Sequence, residues 1–296
     1  MIRVELLRLF RRPRTWTVLV MLCALPVVVA VFVSVTGLVP QPGQGPAFLS
    51  AVLSDGSLYP AAGLAIILPV FLPVSVAVLA GDAVAGEATT GMLRYLLARP
   101  VSRTRLLFAK LTGTMAFVLG AVVLVAITSY ITGVLAFGTG GLRPVVTPPA
   151  TSGGSASAVS AVTGTAVGTF NTSLSGTPLT TLQLVERVGM GIVYISVSML
   201  GVAAIALFLS TVSESALGAA MGALAALVTS EVLATLGAAG SVRAYLPTNY
   251  WLAWIDLFRQ PILWHDVQRG LAIQLVYAVV FFGAAWANFS TKDIKN

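Results

Sequence analysis

Charged side chains are scarce in this sequence. Only 9% of its 296 residues are Asp, Glu, Lys or Arg, against about 25% in an average soluble domain. With 57% hydrophobic residues and a mean hydropathy of +0.94, too little polar surface remains to cover a water-soluble globule. The composition therefore predicts an all-α polytopic membrane protein. The single cysteine, Cys23, excludes an intrachain disulfide and reads as a small packing residue inside the first apolar run. The single histidine, His265, has no second His or Cys with which to share a metal, so neither a metal nor a cofactor is expected on this chain. No Gly-Lys-Ser or Gly-Lys-Thr occurs, which argues against a phosphate-binding loop and so against ATP hydrolysis by this polypeptide. No internal repeat is evident, so an inverted-repeat secondary transporter is not supported. The formal net charge of +7 raises the question of nucleic acid. The basic residues flank the apolar runs, however, where they meet anionic lipid headgroups, and no nucleic-acid partner is expected.

What the sequence has in abundance is long apolar runs. Six are candidate spans, at about 16–37, 60–80, 111–137, 188–209, 216–239 and 271–289, each close to the ~20 residues needed to cross a ~30 Å hydrocarbon core. Pro26 predicts a kink in the first, and Pro69 with Pro73 a bend in the second. Residues 1–15 read as an amphipathic, in-plane elbow helix rather than a cleaved signal peptide. Ile2, Leu6, Leu9 and Phe10 take one side, Arg3, Arg8, Arg11 and Arg12 the other, and Pro13 ends it. Residues 138–187 form a Gly/Ser/Thr/Pro-rich loop. Residues 240–270 carry three Trp and two Tyr and read as one or two short interfacial or re-entrant helices. Six spans place both termini on one side. Arg143, Arg187, Arg243, Arg259 and Arg269 are the only basic residues on the opposite side, and the other twelve of the seventeen assign the termini and the 81–110 insert to the cytoplasm. The excess of Ala, Val, Leu, Gly and Arg over Lys points to a high-GC bacterial source and hence to the cell membrane.

The 81–110 insert, GDAVAGEATTGMLRYLLARPVSRTRLLFAK, is where chemistry concentrates. Asp82 and Glu87 follow the second apolar run. Met92, Leu93, Tyr95, Leu96 and Leu97 make an apolar patch framed by Arg94 and Arg99, Pro100 stops that short helix, and Ser102 is placed to cap the next. An apolar patch on a solvated insert marks a protein contact. Glu87 reads either as a polar contact to that partner or as a solvated helix-end acid paired to Arg94 or Arg103. Arg99 and Arg103 could equally bind lipid phosphate.

The stretch resembles the coupling region of the permease subunits of type-2 ATP-binding-cassette exporters. That family carries a Gly-Glu-x-x-x-Gly-Thr-Leu-like element, then Leu-Leu-x-x-Pro-x-Ser-Arg, then a basic residue opening the third span. Here these are Gly86-Glu87-Ala88-Thr89-Thr90-Gly91-Met92-Leu93, Leu96-Leu97-Ala98-Arg99-Pro100-Val101-Ser102-Arg103 and Lys110. Met92 departs from the usual small polar residue. The Glu5…Arg12 element, the six-span plan, the Thr-Val-Ser-Glu-Ser turn and the closing Lys292-Asp293-Ile294 are similar too, although only the 81–110 motif is sharp. The resemblance implies a cytoplasmic coupling helix that inserts into a separate ATPase subunit, which would hold ATP and Mg2+. It also implies a second permease subunit, identical or homologous, and an assembly that exports a substrate the sequence leaves open.

Glu231 is the one acid well inside an apolar run. A charge at bilayer depth costs roughly 3 kcal/mol on insertion scales, so Glu231 is expected to face the bundle or a cavity. There it would act either in a translocation pathway or in a structural hydrogen bond near Thr229 or Ser230. Gly218 and Gly222 form a small-residue stripe that suits either a dimer seam or packing within the chain. Three other classes compete with the exporter reading. An ion-driven transporter would need several buried ionisable residues. A membrane-embedded enzyme would need more than His265 and Asp266. A non-transporting assembly factor would bring down no ATP-binding subunit on purification. The side assignment is tested by a reporter fused at residue 160. Periplasmic activity is expected, and cytoplasmic activity would overturn the topology.

Overall fold

In hydrocarbon a backbone has no water to satisfy its N–H and C=O groups, so apolar runs of this length fold as helices. The computed structural model describes residues 2–37, 56–89, 102–138, 171–172, 178–235 and 237–291. Among these, α1 spans Ile2–Arg11 and α2 spans Pro13–Thr36, with Pro13 in the first turn of α2, where a missing N–H costs nothing. A 3-10 turn at Gly56–Leu58 leads into α3, Tyr59–Ile67, followed by α4, Phe71–Thr89, and α5, Arg103–Phe137. A two-residue antiparallel ladder pairs β1, Asn171–Thr172, with β2, Pro178–Leu179. Then come α6, Thr181–Val212, α7, Ala216–Thr235, two 3-10 segments at Gly237–Tyr245 and Trp251–Phe258, and α8, Trp264–Thr291. Six helices (α2, α4, α5, α6, α7 and α8) are long and apolar enough to cross a membrane. The architecture is that of a polytopic helical membrane protein.

The second crossing is broken rather than bent. Pro69 and Pro73 have no N–H to give to the carbonyls four residues earlier, and the helix parts at 68–70 into α3 and α4. Both pieces still run antiparallel to α5. Gly56 N–H donates to Gly138 O at one end, Gly63 meets Ser129, and Glu87 reaches Lys110 at the other. The half containing α3 is almost wholly buried against α5, and Tyr59 Oη donates across to Pro26 O of α2. At the end of α2, Gly37 turns into the left-handed region (φ 63°) and donates to Val33 O at 3.0 Å.

Helix α6 occupies the centre, packed on α4, α5, α7 and α8. Its Ile195, Met199, Val202, Ala203 and Ala206 are buried. The lateral faces of α2, α7 and α8 remain apolar and exposed, as with Val20, Met21 and Val28 on α2 and Val276, Val279 and Val280 on α8. That is the expected outer surface of a bundle immersed in lipid. The N-terminus of α5, the C-termini of α4, α6 and α8, and α1 all lie at one end, so the described residues begin and finish at that end.

Several sequence boundaries move. The second span does not stop near residue 80, because α4 continues unbroken to Thr89 and takes Asp82 and Glu87 with it. Helix α6 begins at Thr181 rather than 188, since Thr180 and Gln183 form a reciprocal capping box. Helix α7 ends at Thr235. The aromatic segment divides: Tyr245 and Trp264 are exposed as expected of headgroup anchors, but Trp251, Trp254 and Phe258 are buried. Trp254 fits over Gly191 of α6, where even a methyl group would stand only 3.2 Å from the indole.

At the α3–α5 contact, a Cβ on Gly133 would fall against the Tyr59 Cβ and the Gly56 carbonyl, which are backbone-fixed groups with no room to retreat. Gly133→Val is expected to lower the melting temperature of the detergent-purified chain by overpacking, a loss of about 1–3 kcal/mol. The same change at Gly120, which has open space around it, should leave the melt nearly unmoved.

Candidate functional site at the joint of α4 and α5

Three acids and three bases meet where α1 lies against the ends of α4 and α5. Glu87, in the last turn of α4, accepts from Arg8 Nη1 at 2.5 Å and pairs with Lys110 Nζ at 2.7 Å. Lys110 stands 3.6 Å from Glu5 Oε1, and one turn back along α4 Asp82 Oδ2 accepts from Arg12 Nη1 at 2.8 Å. Glu5 and Arg8 fall on one stripe of α1 because i and i+3 share a helix face, and Arg12 follows just past its end. Glu87 is 2% exposed and Lys110 4%. Charges so enclosed persist only when paired, and removing one partner from such a pair typically costs about 3–5 kcal/mol. A cavity of about 30 Å³ lies among these side chains, bordered by Leu79 and Thr114. That is room for a single water.

This geometry revises two expectations. Arg8 and Arg12 do not sit on a solvated face of α1. They turn inward to the acids of α4, while Leu7 and Phe10 are exposed. Glu87 is not a solvated acid, because α4 carries it into contact with Arg8 of α1 and Lys110 of α5 before the helix ends, while Arg94 lies outside the described residues.

The surrounding helices are tied to this joint by polar contacts. Ser210 of α6 inserts its hydroxyl into α4, accepting from Val84 N at 3.1 Å and Ala85 N at 2.9 Å and donating to Gly81 O at 2.6 Å. The Ser210 hydroxyl thereby links the amide of residue 85 to the Gly81 carbonyl from another helix, an insertion of the kind that bends helices locally. Gly81 also lets Ala220 of α7 approach closely. Ser102 caps α5 as the sequence predicts, accepting from Arg105 N at 3.4 Å. Arg103 donates to Phe289 O and Ser290 O, both at 3.0 Å, placing a cation on the negative end of α8. Trp286 Nε1 donates to Thr104 Oγ1 at 2.9 Å, and Asn288 Nδ2 to Thr211 Oγ1 at 3.1 Å.

Of the other sequence candidates, Gly91, Arg94, Leu96, Leu97, Arg99 and Pro100 lie outside the described residues. Glu231 is not in the joint. It lines a separate cleft at the opposite end of the bundle, with Arg243 and Trp251. Gly222 packs toward Leu209 of its own chain and Gly218 sits beside Ser213 and Ser215. Among the described residues, no three His, Cys, Asp or Glu side chains converge as metal ligands. The sequence alone does not reveal Arg8 and Lys110 as partners of Glu87, or Glu5 as a second acid beside Lys110. The signal is the i, i+3 spacing of Glu5 and Arg8 on α1, with Arg12 just beyond, in a chain with so few charges.

Residues 17–295 match the family described as Protein of unknown function (DUF2705), and the chain belongs to that family. No curated protein matches it.

The cluster is tested by charge removal in pairs. Lys110→Met alone is expected to destabilise the purified protein by about 3 kcal/mol. The Glu87→Gln/Lys110→Met double variant should recover a large part of that loss in the same thermal melt. Simple additivity of the two single losses would show that the pair is not coupled.

Proposed function

We propose that this member of the DUF2705 family is the membrane-spanning subunit of an ATP-driven exporter of the type-2 ATP-binding-cassette class, coupled to a separate ATPase subunit. The observation that carries the reading is the joint of α4 and α5. The family-like motif from Gly86 to Arg103 begins on the last turn of α4 and ends on the cap of α5. Both flanks are fixed by the Glu87–Arg8–Lys110 cluster and by Arg103 on α8. A partner that pushes on the intervening segment would therefore move α1, α4, α5 and α8 as a connected set, which is what transmission of a nucleotide-driven stroke requires.

In this reading α1 is the elbow helix. The segment carrying Gly91, Arg94, Leu96, Leu97, Arg99 and Pro100 is the coupling element, and the end of the bundle holding both termini faces the cytoplasm of a bacterial cell. Glu87 acts as the anchor of the coupling element rather than as its contact with the ATPase. The chain supplies no nucleotide chemistry. ATP and Mg2+ belong to the ATPase, and two permease chains, identical or homologous, enclose the pathway.

Co-expression of the tagged chain with the ATP-binding-cassette subunit encoded beside it tests this. Co-purification is expected, together with ATP hydrolysis that falls at least several-fold in the Leu96→Asp/Leu97→Asp variant while the permease still reaches the membrane. A chain that brings down no ATPase, or that moves solute in proteoliposomes on an imposed ion gradient without ATP, would overturn the proposal.

A further inference from the structure

The far end of the bundle holds a second polar site, built from different elements. A cleft of about 340 Å³ is lined by Pro69 at the break of the second span, Glu231 of α7, and Arg243, Thr248, Asn249 and Trp251 of the connection to α8. Its wall is anchored rather than loose. Ser230 of α7 and Thr248 share a hydrogen bond of 2.9 Å, and Gln274 Nε2 of α8 donates to Pro247 O at 2.6 Å.

Two charges of opposite sign line this one cleft without meeting. Among the described residues, Glu231 makes no hydrogen bond or ion pair, and Arg243 uses its Nε on Asn249 Oδ1 at 3.1 Å. A guanidinium has five donors, so most of those of Arg243 stay available for an anion. The break in the second span adds a residue with a spare acceptor to the same lining. Pro73 cannot donate to the carbonyl of Pro69, so that carbonyl lacks its usual helical partner. Glu231 lies four residues before the end of α7, about one helical turn from the bundle end. Its side chain is exposed there rather than enclosed by the bundle, so a cationic ligand can reach it from outside. A ligand that brings both signs at once, an ammonium for Glu231 and an anion for Arg243, would give each charge a partner that the described residues do not supply.

We infer that this cleft binds an ammonium–phosphate zwitterion of the phosphoethanolamine kind, in which a short ethylene link separates the two charges. The same chemistry reaches the site either as a phospholipid headgroup or as a free solute. The inference does not rest on the export reading, because binding needs no ATPase and is measured on this chain alone.

The experiment is calorimetric titration of the detergent-purified chain with dihexanoylphosphatidylethanolamine, with the matched phosphatidylglycerol, and with soluble phosphoethanolamine. The ethanolamine lipid is expected to bind about tenfold more tightly than the glycerol lipid, the scale of one charged hydrogen bond. Glu231→Gln should abolish that preference and Glu231→Asp retain most of it, while Arg243→Gln weakens both lipids. Melting temperatures of all variants separate loss of the site from loss of the fold. Soluble phosphoethanolamine binding as tightly as its lipid would identify the ligand as a free zwitterion, and much weaker binding would identify it as a lipid. Equal binding of the two lipids by the unaltered chain, or an undiminished preference in a folded Glu231→Gln variant, would overturn the inference.

Discussion

The carboxylate of Glu87 is tolerable in its buried position only because two cations reach it from two other helices. Arg8 comes from α1 and Lys110 from α5, and Lys110 in turn lies close to Glu5. A cluster of this kind need not add net stability, since desolvation offsets much of the Coulomb attraction. It does make one register of α1, α4 and α5 much more favourable than its neighbours, because a shift of any helix by one turn strands a charge. Apolar side chains cannot impose that choice in a bilayer, where lipid tails compete with every Leu and Val contact.

Around that fixed point the bundle divides into a stiff part and a compliant part. The stiff part is the α3–α5 contact, with Gly56, Gly63 and Gly133 drawing the backbones together and Tyr59 bridging to α2. The compliant part is α4, which is cut from α3 at 68–70 and shares its backbone groups at Gly81, Val84 and Ala85 with Ser210 of α6. The motif that resembles an exporter's coupling region starts at the end of the compliant part. The cleft of Glu231 opens beside the break at its other end, so α4 borders both places where the chain offers polar chemistry.

The six crossings were legible because apolar runs near the length of the hydrocarbon core leave little alternative to helix. The cap at Ser102 was legible because side-chain capping is a local event. The end of α4 was not. Asp82 and Glu87 look like a transition to solvent in a chain with so few charges, and nothing local says that their partners lie some seventy or more residues earlier, at Arg12 and Arg8. The capping box at Thr180 and Gln183 was present in the sequence but hidden at the edge of a polar stretch. Trp251 and Trp254 illustrate a different limit. Composition says that such residues suit the headgroup region, yet a glycine on a facing helix, as at Gly191, is enough to draw an indole into the core. Glu231 looks from the sequence like an acid deep in an apolar run, yet α7 ends one turn beyond it and leaves it exposed, and its neighbours Arg243 and Pro69 come from separate elements that only the fold brings together.

The break at residues 68–70 gives α4 the properties of a lever. From Phe71 to Thr89 it is nineteen residues long, about 28 Å at the helical rise. A tilt of only about 5° about its pivot would carry the far tip through roughly 2.4 Å by that same length. That is close to half the spacing of one helical turn, so the Ser210 relay and the Glu87 pairs would sit near the limit of their hydrogen-bonding reach at the end of such a stroke. A small rotation at the break would thus be amplified at the far tip of α4 while α3 stayed seated on α5.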